Sequence, residues 1–178
     1  HGNHAECVIK ALQAGKHVFV EKPLAISNGE LELIKNEIAS HPNQMLMVGY
    51  NRRFSPFIKE IKKHIDNKLN PLIIQYRMNA GFKDQKNIAH DDGGRIIGEC
   101  CHIIDLCSFL TGSKVESIFS ENLSPENDYY SSSDNRLITL KYVDGSVANI
   151  QYFATGNKNL SKEYMEIHFD GKSITMDD

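Results

Sequence analysis

The stretch Ala14-Gly15-Lys16-His17-Val18-Phe19-Val20-Glu21-Lys22-Pro23-Leu24 decides how the rest of this 178-residue chain is read. Val18, Phe19 and Val20 are β-branched and aromatic, and Pro23 cannot donate to a sheet ladder, so residues 17–21 predict a short buried strand. Its end presents Glu21 and Lys22. On the amino side, Ala5, Val8, Ile9 and Leu12 recur at helical spacing behind Asn3, a competent N-cap, and Gly15 stands where a C-terminal cap belongs. On the carboxyl side, Ser27 and Glu30 have the spacing of a capping box ahead of Leu31, Ile34 and Ile38. A turn at Pro42 and Asn43 then leads into a second short apolar strand over 45–50. Helix, strand, helix, strand at these lengths predicts a parallel α/β sheet covered by helices.

After Arg53 the pattern changes. Ser55-Pro56 sets a cap and first turn for a helix carrying Phe57, Ile61 and Ile65, and strands dominate from there. Residues 72–79 read as a strand, 95–110 as a helix closing on Gly112, 115–121 as a strand and 124–134 as a polar loop. Asp144-Gly145 and Asp170-Gly171 each stand between strand-like runs, the strongest short hairpin signal. The expected fold class is therefore α/β followed by α+β. A partial Rossmann parallel sheet occupies residues 1–53, and a domain with a mostly antiparallel open sheet, for substrate and oligomerisation, occupies 54–178.

Composition narrows the function classes. With 40% hydrophobic residues the chain can bury a core, and no apolar run approaches the roughly 20 residues that span a bilayer. Neither a membrane nor a nucleic acid is an expected partner, because a formal net charge of -3 with interspersed signs offers no basic field to a phosphate backbone. Cys7, Cys100, Cys101 and Cys107 show no CxxC pairing, so reduced core thiols are expected and a metal site is not. A cytoplasmic location follows by default. The chain opens at His1 without methionine and enters a helical pattern almost at once, as a fragment of a longer protein would.

The run from Ala14 to Leu24 resembles the AGKHV...EKPL signature of the Gfo/Idh/MocA oxidoreductases, the family of glucose-fructose oxidoreductase and inositol dehydrogenase. Two further motifs follow in order. Val48-Gly-Tyr-Asn-Arg-Arg-Phe-Ser-Pro56 is similar to the family's link out of the nucleotide domain, and Gly93-Gly94 leading to His102 and Asp105 is similar to its GG...H..D helix. Asn79-Ala-Gly81 with the run from Gly93 to His102 resembles most the bacterial members in which this unit is fused behind an alcohol-dehydrogenase-like domain. The resemblance implies NAD or NADP as cofactor, although the glycine-rich phosphate loop and the ribose-gripping acid would precede residue 1.

Oxidising a secondary alcohol needs a base for the hydroxyl proton and positive charge for the developing alkoxide. The resemblance places Lys22 at the family's catalytic lysine and His102 at its catalytic histidine. An imidazole with an ordinary pKa near 6.5 can accept a proton at neutral pH. Without the motifs, a lysine after a strand is usually a solvated charge and a histidine on an apolar helix a core residue. Asp105, one turn after His102, either orients the imidazole or bonds nearby backbone. The family's aspartate four residues before the histidine falls on Gly98 here, so Glu99 either reaches the site by its longer arm or the helper carboxylate is missing. By resemblance Asn3, His4, Glu21 and Lys22 lie beside the dinucleotide, and the Lys22-Pro23 peptide is cis. Asn51 and Arg53 are further cofactor candidates; for Arg53 a contact to cofactor or substrate and a carboxylate pair across the domain junction are equal readings. Arg77, Asn79 and His90 are candidate contacts to sugar hydroxyls.

The expected function is thus hydride transfer between a nicotinamide cofactor and a hydroxyl of a sugar, nucleotide sugar or cyclitol by the full-length protein, the fragment alone being inactive. The alternative is a non-catalytic binding or assembly module on the same fold. A homo-oligomer is expected, formed through the C-terminal sheet or through the bare edge of the strand at 17–21.

Overall fold

The structure is a computed structural model and describes residues 2–82, 94–127 and 129–177. These form two compact units, one of residues 1–50 with the described part of 89–101, the other of 51–88 and 102–178 as far as described.

In the first unit, α1 (His4–Gln13) is followed by β1 (Val18–Val20), α2 (Asn28–Ser40) and β2 (Leu46–Val48). β1 and β2 run parallel with Val18 opposite Leu46 and Val20 opposite Val48, so α2 serves as the crossover that parallel strands require. Ser27 caps α2 by accepting the Glu30 amide at 3.2 Å, and the Glu30 carboxylate accepts in return from the amide of Ile26 at 2.8 Å. The reciprocal bond of this capping box therefore reaches one residue further back than usual. Ala5, Val8, Leu12 and Ile34 are buried between the helices and the sheet, with Val18, Val20, Ile38 and Leu46 packed against them. Val8, Leu12 and Ile34, fully buried, each stabilise by about 1.5–3 kcal/mol. Among the described residues β1 has no second strand partner.

The second unit begins with a 3-10 turn over Asn51–Phe54 and α3 (Pro56–Ile65), which Ser55 caps through the Ile58 amide. β3 (Ile73–Asn79), α4 (Cys101–Thr111), β4 (Val115–Asn122), β5 (Arg136–Tyr142), β6 (Val147–Phe153), β7 (Glu163–Phe169) and β8 (Lys172–Asp177) complete the elements. The strands form one six-stranded sheet in the order β4-β5-β6-β3-β7-β8, antiparallel except where β3 lies parallel to β6. Both expected hairpins form. At the β7–β8 turn Asp170 and Gly171 have φ of 46° and 71°, the left-handed pair that suits a two-residue hairpin. Strand alternation turns Ile74, Tyr76 and Met78, then Leu140 and Tyr142, then Ile150 and Tyr152, into the core with Ile58, Ile61 and Ile65 of α3 and Ile103, Leu106 and Leu110 of α4. β4, by contrast, is exposed along its whole length.

The helix expected over 95–110 differs at its start. Residues Ile96–Cys100 form a π-helical turn in which the Cys101 amide reaches back five residues to the Ile96 carbonyl. Glycine at 98 favours a departure from the α-ladder, and π-turns arise where the ladder must admit another group. No helix among the described residues is long and apolar enough to cross a membrane.

Candidate active site

In the first unit, the sequence-predicted residues Asn3, His4, Glu21 and Lys22 gather beyond the carboxyl end of β1. Lys22 follows Val20 by two residues, and its peptide to Pro23 is cis. The Pro23 carbonyl meets the His4 Nδ1 at 2.7 Å, which ties the start of α1 to the Glu21-Lys22-Pro23 turn. Asn3 stands at the N-cap position of α1 but caps through its backbone only, its carbonyl accepting from the Cys7 amide. The Glu21 carboxylate lies so close to Gly49 that a Cβ there would stand 3.3 Å from it, and the carboxylate would have to shift to admit one. Lys22 reaches a partner far along the chain. Its Nζ donates to the main-chain carbonyl of Gly98, inside the π-turn, at 2.6 Å.

Glu99, one of the two carboxylates offered as helpers, pairs with Arg95 at 3.4 Å. Asp105, the other, lies in the second unit, on the partly buried stripe of α4 that also carries His102 and Phe109. Arg53 grips it with two bonds, one of them 2.7 Å from Nε, and its guanidinium lies 5.3 Å from the ring centre of Phe109. Arg53 thus pairs with a carboxylate inside the second unit rather than across the domain junction.

Its neighbour Arg52 does the same elsewhere. Both of its terminal nitrogens donate to Glu163 of β7, and Tyr76 of β3 donates its hydroxyl to the same carboxylate. Burial works to raise the Glu163 carboxyl, but the bonds from Arg52 and Tyr76 outweigh it and hold the group below its ordinary 4.5. Burial, then the neighbouring Glu163 carboxylate, pushes the Tyr76 phenol far above its ordinary range. This triad carried no sequence signal beyond the three residue types. Arg52 and Glu163 also floor a groove of about 810 Å³ whose walls include Phe57, Ile61, Phe169 and Met176, and which contains none of the predicted site residues.

Arg77 points along the sheet face onto Tyr164, 5.1 Å from its ring centre, and donates to Ser161. Asn79 is buried and donates to the Asn157 carbonyl at 2.8 Å, with Gly156 so near that a Cβ would collide with its side chain. Asn51 is exposed in the 3-10 turn, and His90 lies outside the described residues.

A model of the Gfo/Idh/MocA family, oxidoreductases with an NAD-binding Rossmann fold, matches residues 1–50. The scyllo-inositol 2-dehydrogenase (NAD(+)) of Bacillus subtilis is 27% identical over 154 residues, which are 83% of this chain and 44% of that enzyme. The levoglucosan dehydrogenase of Pseudarthrobacter phenanthrenivorans is 30% identical over 157 residues, 80% of this chain and 39% of that enzyme. This chain belongs to the Gfo/Idh/MocA oxidoreductase family. Its fold agrees. The WlbA dehydrogenase of Bordetella pertussis, solved with NADH and UDP-GlcNAcA, matches at a TM-score of 0.82 and 19% identity, over 99% of this chain and 56% of that one. The parallel sheet followed by a mostly antiparallel open sheet, expected from the sequence, is the Gfo/Idh/MocA architecture. The chain spans about half the length of the Gfo/Idh/MocA relatives it matches.

Proposed function

We propose that this chain supplies the proton-handling part of a dehydrogenase that acts on a hydroxyl of a sugar, nucleotide sugar or cyclitol, with NAD or NADP as the hydride acceptor. The observation that carries this reading is the placement of Lys22. It stands just past the carboxyl end of a parallel strand, where open α/β sheets take ligands, and among the described residues its ammonium makes one hydrogen bond, to a carbonyl. With respect to the described residues, two of its three N–H groups are left for a substrate oxygen. The names of the relatives support the substrate class, since they speak of inositol, levoglucosan and a UDP-sugar.

The residues present fit the nicotinamide end of a dinucleotide. His4, at the start of α1, is hydrogen-bonded to the turn that carries Glu21 and Lys22, and the absent side chain at Gly49 leaves the Glu21 carboxylate room beside β2. When bound, the nicotinamide ring supplies the hydride acceptor. Lys22 holds the reacting oxygen and stabilises charge on it, while His102 takes the hydroxyl proton. Arg53 holds Asp105 one turn from His102 and so fixes that face of α4. Asn3 and Asn51 remain cofactor contacts, and Arg77, Asn79 and His90 substrate contacts, in this proposal. A homo-oligomer would form through the open sheet, where Phe119 and Leu137 are exposed on β4 and β5.

The test is turnover. Protein expressed from its own gene, given NAD or NADP and a panel of sugars, cyclitols and nucleotide sugars, should reduce the cofactor. Lys22→Met and His102→Asn should each lower kcat by about 10²–10⁴. Undiminished turnover in both variants would sink the assignment, and sugar binding without any turnover would favour the binding module instead.

A further inference from the structure

We infer that the main-chain carbonyl of Gly98 is the positioning group for Lys22, and that it fixes the ammonium without neutralising it. The inference rests on the role proposed for Lys22 and deepens it.

Three observations converge. The bond is short and joins residues 76 positions apart, so it is made by the fold and not by local sequence. The acceptor lies inside a π-turn, where the Cys101 amide reaches back to Ile96 and the ladder slips by one residue, which opens the carbonyls of the turn to an outside donor. And no carboxylate is paired with Lys22: Glu99 pairs with Arg95, and Lys22 forms no ion pair among the described residues. Residue 98 itself has no side chain to offer a competing acceptor.

A carboxylate partner would cancel much of the ammonium charge. A carbonyl supplies only a dipole. Lys22 is held in place, yet its full positive charge stays available to the oxygen on which negative charge develops during alcohol oxidation. The π-turn is thus the element that makes a neutral tether possible, and Gly98 is a positioning residue acting through Lys22.

The experiment reads the amine directly and needs no turnover, so its failure is distinct from failure of the dehydrogenase reading. The rate at which an N-hydroxysuccinimide ester acetylates Lys22 is measured at pH 8 by peptide mass spectrometry, with Lys158 and Lys172 as internal exposed references. Gly98→Ala keeps the carbonyl and should leave the relative rate within about twofold. Gly98→Asp places a carboxylate beside the ammonium and should slow the reaction about tenfold or more, because a nearby opposite charge favours the charged form. Deleting Ile97 shortens the π-turn to an α-turn, withdraws the carbonyl and should speed the reaction at least about fivefold, with helix content checked by circular dichroism. Equal rates in Gly98→Asp and Gly98→Ala would overturn the proposal even if the deletion variant fails to fold. So would an unchanged rate in a folded deletion variant.

Discussion

Arg52 and Arg53 are adjacent in sequence, yet their guanidiniums take different carboxylates, Glu163 on β7 and Asp105 on α4. The Arg52 pair is partly buried, so removing one charge leaves the other short of solvent. Glu163→Gln should cost about 2–4 kcal/mol at pH 7, read as a shift in the urea midpoint. The pH dependence has a definite sign. Because the folded-state value of Glu163 is depressed, its stabilisation is present above the ordinary value of 4.5 and is lost as pH falls through the folded value. Wild-type stability should therefore drop more steeply below pH 4.5 than that of Glu163→Gln, and parallel curves would contradict this. At Arg53 the two-pronged geometry matters more than the charge. Arg53→Lys keeps the charge and loses the fork, so it should lower kcat while leaving KM for the cofactor within about twofold. Neither partner was legible in the sequence. Arg52 and Glu163 are 111 positions apart, and nothing local in either residue's neighbourhood specifies the other.

At the scale of elements, local signals were legible wherever local chemistry sets the structure. Ser27 and Ser55 do cap α2 and α3, and Asp-Gly does close both hairpins. Ser27→Ala should accordingly destabilise by about 1 kcal/mol, visible in the thermal midpoint of the first unit, because the Glu30 amide loses its acceptor. The turn at 170–171 has a further support. The Asp170 carboxylate accepts from the Leu69 amide at 2.7 Å and from Asn70 at 2.6 Å, and these bonds, the Leu69 amide first, lower its pKa. The π-turn was not legible. Its distortion is coupled to an ammonium 76 positions earlier, and the sequence of 95–110 alone satisfies an α-helix. The strand read over 115–121 forms as β4, and it stands at the sheet edge with both faces exposed.

For the whole molecule, the family was legible because three motifs fall in order along the chain, while the pairing of the open sheet was not. The two units also differ in how much they bury. The first rests on a cluster of Ala5, Val8, Leu12 and Ile34 over two three-residue strands, the second on a six-stranded sheet backed by two helices. Hydrogen exchange should reflect that. The amides of Val18 and Gly49 should exchange at least about tenfold faster than those of Tyr76, Ile150 and Ile167, and comparable protection would show that the first unit does not open independently. The parallel pair at the middle of the large sheet has a consequence for synthesis. β3 finds both of its neighbours, β6 and β7, only after the chain has grown past Phe169. At about 5–20 residues per second, the ribosome leaves this apolar strand waiting for roughly 5–20 s. Through that interval Ile74, Tyr76 and Met78 depend on a chaperone, or on transient cover from α3, to stay out of aggregates.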